Sequence, residues 1–320
     1  MEVEREMDHQ KLLEISKEVG LPVKKLEDVL FVLKDGKPVD NNELLRRVGI
    51  SRNVLNKVKE RLSVLLEPSS STTGLSDEGM RFVDDNFSSG FMMEGQLWEV
   101  LKGDNYKRIL ALLQKHKEKR PEPNRKFDQF TATLETTALR ASLMNFFGDI
   151  KGKRILFLGD NDFTSVGAAF IGSASLIEVL DVDKRILDSI KAVAKEEKLN
   201  ISITRSDLRQ RLPSQLRDKF DVVFTDPPYT TEGMGLFLTR AVQALDPDNQ
   251  AGRIYVCYGN SDRARERYLP IQQLFVDSGL MVRWTFDGFN RYVGAESIGS
   301  TSALFVCDVT PKTKSVTRGI

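Results

Sequence analysis

From residue 154 onward the chain alternates short apolar runs with amphipathic stretches. RILFLGD (154–160) is a continuous apolar run, as in a strand covered on both faces. SLIEVLDVD (175–183), ISITRSD (201–207), FDVVFTDPP (220–228), GRIYVCYG (252–259), LMVRWTFDGF (280–289) and SALFVCDV (302–309) follow. Between most of them lie helical patterns at 185–198, 235–246 and 267–279. Strands alternating with helices predict an α/β fold: a Rossmann-like, doubly wound and mostly parallel sheet over residues 126–320.

The first 85 residues carry a different pattern. KLLEISKEVG (11–20) puts Leu12, Leu13 and Ile15 on one face and stops at Gly20. Asp40-Asn41-Asn42 offers caps for a helix over 43–49, Gly49 ends it, and Ser51 caps a longer helix over 51–66. That is a helix-turn-helix pattern. The Ser/Thr/Gly-tipped stretch 67–83 predicts a hairpin wing, so residues 1–85 read as a winged-helix domain. Residues 86–125 read as a helical linker broken by Pro121 and Pro123.

Charge narrows the function classes. Lys and Arg number 47 against 46 Asp and Glu, a net +1, which argues against nucleic acid as a partner bound by bulk charge. Arg52, Lys57, Lys59 and Arg61 lie along the longer helix, but with a weakly basic wing the domain is expected to offer a partner or homodimer surface. Two cysteines exclude a disulfide scaffold and a four-cysteine zinc site, and fit the reducing cytoplasm. Two histidines argue against a His-based metal site. No run of about 18 apolar residues is present, so no membrane span is expected. The opening MEVEREMDHQ is too charged for a signal peptide. The basic tail 311–320 is expected to be mobile.

The candidate chemistry sits at strand ends, where doubly wound sheets bind ligands. Asp160, Asp181, Asp207 and Asp226 close four successive strands, about one βα unit apart. This resembles the nucleoside-binding plan of class I S-adenosylmethionine-dependent transferases, in which Asp181 would hold the ribose hydroxyls and Asp207 would lie by the adenine amino group. The first loop departs from that plan. Gly159-Asp160-Asn161-Asp162 stands where methyltransferases carry G-x-G-x-G. Carboxylates there repel a ligand carboxylate and attract an ammonium. Decarboxylated S-adenosylmethionine suits the loop as a co-substrate, without any tightly bound cofactor. Asp226-Pro227-Pro228-Tyr229 is familiar from amino-group methyltransferases. Its carboxylate would hold an amine and its ring a cation.

Asp128-Gln129-Phe130, Thr133-Leu134-Glu135-Thr136-Thr137 and Arg140, followed by GKRILFLGDND, VLDVD, SDLR, KFDVVFTDPPYT and GLFLTRAV, closely resemble the branched-chain polyamine synthases over about residues 120–300. The resemblance implies transfer of aminopropyl groups from decarboxylated S-adenosylmethionine to the secondary amine of spermidine, twice. Asp160 and Asp162 match the first and last acids of the family's G-D-D-D motif, and the last is the family's proposed catalytic acid. Asn161 replaces the middle one, which puts acceptor identity and the number of transfers in question. Asp162 is then expected to deprotonate the attacking amine and Asp160 to grip the donor's amine. Asp226, Tyr229, Glu135 and Glu232 complete the acceptor's acidic surround. Asp162 also has the spacing of a helix cap, with Ser165 three residues on. The sulfonium is already an activated leaving group, so the reaction calls for no metal. Two readings compete: an amino-group methyltransferase acting on nucleic acid, resting on D-P-P-Y, and a DNA-binding regulator that senses a nucleoside, resting on the winged helix.

Overall fold

The computed structural model of the chain describes residues 7, 9–67, 69–86, 94–124, 129–259, 268–293 and 301–314. Of the tail expected to be mobile, residues 315–320 lie outside these. Two compact units emerge, one drawn from residues 1–92 with 295–301 and the other from 93–294 with 302–320.

The first unit runs α1 (His9–Val19), α2 (Val23–Leu33), β1 (Val39–Asp40), α3 (Asn41–Val48), α4 (Arg52–Arg61), β2 (Thr72–Thr73) and α5 (Asp77–Asn86). Asp40 caps α3 by accepting the amides of Asn42 and Glu43, and Gly49 closes it at φ 72°. Leu26, Leu30, Leu44, Val58 and Leu62 are among the residues of its core. The expected hairpin over 67–83 is shorter. Leu66 and Leu75 form one antiparallel bridge, β2 pairs instead with β1, and 77–86 is helical. The reason is local: the Ser76 hydroxyl accepts the Gly79 amide at 3.0 Å, and Asp77 and Glu78 fill the first turn of α5. The longer helix likewise stops at Arg61. Lys59 donates to the Thr72 carbonyl at 3.0 Å, Arg61 pairs with Glu18 at 3.3 Å, and Arg52 bonds Asn42. Three of the four basic side chains singled out on this helix therefore have partners in their own unit.

The second unit holds α6 (Glu94–Leu101), α7 (Asp104–Lys115), β3 (Thr131–Ala132), α8 (Leu134–Phe146), β4 (Arg154–Leu158), α9 (Thr164–Ile171), β5 (Leu176–Asp181), α10 (Lys184–Glu196), β6 (Ser202–Arg205), β7 (Val222–Thr225), α11 (Thr231–Ala244), β8 (Arg253–Gly259), α12 (Tyr268–Asp277), β9 (Met281–Val293) and β10 (Thr301–Asp308). The eight strands lie in the order β3-β9-β10-β8-β7-β4-β5-β6. Strands β8, β7, β4, β5 and β6 are parallel, while β10 runs antiparallel to β8 and β3 to β9.

Period two sorts each strand onto two faces. Ile155 and Phe157 of β4, with Val222 and Phe224 of β7, join one layer with α7, α8, α9 and α10. Leu156, Leu158 and Val223 join the other, with α11 and α12. The stretch expected as a linker is corrected here. Tyr106, Ile109, Leu112 and Leu113 of α7 are buried in the first layer, because their spacing gives the helix an apolar stripe. After β4 the chain builds outward to β5 and β6, then returns to lay β7 against the other side of β4. The switch point is thus between the carboxyl ends of β4 and β7, where Asp160, Asp162 and Asp226 lie.

Candidate active site

The loop after β4 is shaped by Gly159, whose φ of 71° a residue with a Cβ adopts only under strain. A Cβ there would lie 4.0 Å from Asp181 Oδ2. Asp160 follows, buried, and its two oxygens accept the amides of Thr164 at 2.8 Å and Ser165 at 3.1 Å at the start of α9. The capping that the sequence offered to Asp162 falls to Asp160. Burial pushes its carboxyl up to about 7, against the two amide bonds that favour the ionised form.

Asp162 turns the other way. Its Oδ1 accepts the Ala132 amide at 2.7 Å and Arg120 Nη2 at 3.2 Å, and its Oδ2 accepts Arg140 Nη1 at 2.7 Å. Asn161 Nδ2 adds a contact at 3.3 Å. Asp226, at the end of β7, presents Oδ2 to Arg140 Nη2 at 2.6 Å and to the Tyr292 hydroxyl at 2.7 Å. Its Oδ1 accepts the Tyr229 hydroxyl at 3.2 Å. The side chain of Asp226 is 13% exposed and that of Asp162 3%, so Asp226 is the more open of the two. Burial raises the Asp226 carboxyl above its ordinary range, and the Arg140 guanidinium opposes the shift.

Asp181, at the end of β5, accepts the Asp183 amide at 2.8 Å and the Asp160 amide at 3.3 Å, and burial raises its carboxyl. Asp207, after β6, keeps to its own loop: it accepts the Arg209 guanidinium through both oxygens and is held below the usual carboxylate range by it. Glu135 and Glu232 are exposed in the first turns of α8 and α11. The structure thus brings Asp160, Asp162, Asp181, Asp226 and Tyr229 around the switch point.

Two arginines and a tyrosine in this cluster carried no role in the sequence reading. Arg140, on α8, is fully buried and stacks over Phe224 and Tyr292, 5.3 and 5.9 Å to the ring centroids. Arg120 reaches in from beyond α7, and Tyr292 comes from β9. The signal for Arg140 was legible: a lone cation in TTALRASLMNFF is a buried charge that must be paired. Among the described residues, one trio has potential metal-ligand atoms within 4.8 Å of one another, His116 with Glu196 and Glu197. Lys115 and Lys119 already pair with those glutamates.

The sequence model of the branched-chain polyamine synthase A C-terminal domain matches residues 108–317. An N(4)-bis(aminopropyl)spermidine synthase of Thermus thermophilus is 30% identical over 306 residues, covering 89% of this chain and 83% of its own. An uncharacterized protein of Methanocaldococcus jannaschii is 32% identical over 285 residues, covering 87% of this chain and 71% of its own. The crystal structure of the branched-chain polyamine synthase from Thermus thermophilus, in complex with N4-aminopropylspermidine and 5'-methylthioadenosine, superposes with a TM-score of 0.71. It is 24% identical, with 98% of this chain and 97% of that one covered.

Proposed function

We infer the function from one premise: the chain belongs to the branched-chain polyamine synthase family. It is an aminopropyltransferase that moves aminopropyl groups from decarboxylated S-adenosylmethionine to the secondary amine of a spermidine-type polyamine. The nitrogen lone pair forms a bond to the methylene beside the sulfonium as the carbon–sulfur bond breaks. The bonding electron pair stays on sulfur and leaves 5'-methylthioadenosine. The sulfonium is a good leaving group, so the protein must supply alignment and a place for the amine's proton.

In our reading Asp226 and Tyr229 receive that amine. What supports this is the Asp226 Oδ1, which accepts one neutral hydroxyl and belongs to the more open of the two paired carboxylates. A secondary amine is protonated at neutral pH. Oδ1 accepts its N–H and takes the proton, freeing the lone pair. After the first transfer the nitrogen is tertiary, and after the second it is a quaternary ammonium with no proton to give. Asp162, expected to be the base, is engaged by two guanidiniums and an amide, and we assign it to holding the site instead.

Asp181 would take the ribose hydroxyls and Asp207 the adenine amino group, with Gly159 giving the donor close approach to the backbone. Asp160 is buried in that loop, with its oxygens turned to the Thr164 and Ser165 amides. Glu135 and Glu232 would meet outer ammoniums of the acceptor from the helix ends. The deciding experiment is mass spectrometry of products from spermidine and decarboxylated S-adenosylmethionine. Products heavier by one or two aminopropyl units are expected. Unchanged spermidine, or methyl transfer from the carboxylated donor, would overturn the reading.

A further inference from the structure

Arg140 is the only group that touches both Asp162 and Asp226 among the described contacts of those two carboxylates. They come from different strand ends, and one guanidinium spans the switch point between them. Its own orientation is fixed three ways. Nε donates to Asn290 Oδ1 at 2.7 Å, and Asn290 is held by Ser302 Oγ at 2.9 Å. Phe224 and Tyr292 lie against its plane. The rigid backbone of α8 carries it, with every residue from Thr136 to Met144 buried.

We propose that Arg140 is the positioning residue of the transfer: a buried clamp that fixes Asp226 across the switch point, keeps it ionised, and turns its Oδ1 toward the incoming amine. The clamp rests on the reaction proposed above. By taking Oδ2, Arg140 and the Tyr292 hydroxyl leave Oδ1 to the acceptor, so the amine's approach has one direction. By bridging to Asp162, which Arg120 and the Ala132 amide also hold, the guanidinium is anchored against movement toward the acceptor. The planar fork matters, because a lysine ammonium is a point charge and cannot serve two carboxylates and an amide oxygen in fixed directions.

The groups that face Asp226 are Arg140 from α8, Asp162 from the loop after β4, Tyr229 from its own loop, Tyr292 from β9 and the Cys257 thiol of β8. Arg140 is the cation among them. Without it, burial and the Asp162 charge would both favour the protonated acid, and a protonated Asp226 cannot take the amine's proton.

Two variants and two readouts test this. Arg140→Met is expected to lower kcat roughly a hundredfold or more at neutral pH and to move the acid limb of the kcat profile up by about one pH unit or more. Affinity for 5'-methylthioadenosine should stay within about twofold, since Asp181 makes no bond to Arg140. Arg140→Lys keeps a cation and should not rescue kcat. Carbon-13 NMR of aspartate carboxyls, with Asp226 assigned by its loss in Asp226→Asn, should show an upward midpoint shift in Arg140→Met and a smaller one in Arg140→Lys, with or without turnover. Wild-type kcat in Arg140→Lys, or an unmoved Asp226 midpoint in Arg140→Met, would overturn the clamp. If the native chain forms no aminopropylated product, the reaction is wrong, and the carboxyl midpoint alone then decides the clamp.

Discussion

The Tyr229 hydroxyl turns back three residues to donate to Asp226 Oδ1 at 3.2 Å. This places a neutral donor, and an aromatic ring beside it, on the more open of the two carboxylates paired with Arg140. Pro227 and Pro228 between them fix two φ angles and make the turn rigid. An ammonium arriving at Oδ1 meets both the charge and the ring.

Asp226→Asn keeps the size of the side chain and removes its proton acceptor. Loss of a general base costs about 10²–10⁴-fold in rate. We expect kcat to fall within that range while calorimetry finds the affinity for 5'-methylthioadenosine unchanged. A folded variant with near-native turnover would remove Asp226 from the chemistry.

Asp181→Asn tests the donor side. The carboxylate accepts two backbone amides, and an amide oxygen can still accept one of them. The ribose contact proposed for it is a charge-assisted bond, worth about 1–3 kcal/mol. We expect affinity for 5'-methylthioadenosine to drop correspondingly, by about tenfold or more, with acceptor KM little changed. Equal affinities in variant and native protein would leave the ribose without its assigned partner.

The sheet and the strand-end acids were legible because each depends on nearby sequence: an apolar run, then an acid or D-P-P at its end. Expected strand and helix limits differ from those observed by a few residues, as for 201–207 against Ser202–Arg205. The partners were not legible. Arg140 lies 22 residues from Asp162 and 86 from Asp226, and only the sheet order brings them together. The lone arginine in an apolar helix announced that it needed an anion, without saying which. The misplaced hairpin had a local remedy: Ser76 before two acids is a helix start. The stripe of α7 was hidden by the basic stretch that follows it.

Asp160 carries a pH prediction. Its folded-state carboxyl lies at about 7 against an ordinary 3.8, raised by burial. A raised acid favours folding below its unfolded value, and that contribution is lost as pH climbs through the folded one. Between about pH 4 and 7 the native protein therefore loses stability on this account, by about 4 kcal/mol at the limit. Asp160→Asn removes the titration and keeps one acceptor for α9. Its melting temperature should vary less with pH across that window than the native protein's. Parallel melting curves against pH in the two proteins would assign the burial cost elsewhere.

Asp162→Asn separates holding the site from performing the proton transfer. An amide in place of this carboxylate sets a neutral oxygen against Arg120 and the Ala132 amide, and turns an N–H toward Arg140 Nη1, where two donors then face each other. Two buried guanidiniums lose a shared anion. Removing one partner of a buried ion pair typically costs about 3–5 kcal/mol, so urea unfolding of the second unit should shift by roughly that amount. A surface acid would give a shift near zero. A carboxylate whose oxygens faced only the acceptor, with no buried cation paired to it, would leave stability nearly intact while abolishing turnover. We expect the reverse weighting: a large stability loss, a fall in kcat smaller than that of Asp226→Asn, and an unchanged affinity for 5'-methylthioadenosine. An Asp162→Asn protein with native stability and turnover lower than that of Asp226→Asn would return the proton transfer to Asp162 and reduce Asp226 to its support.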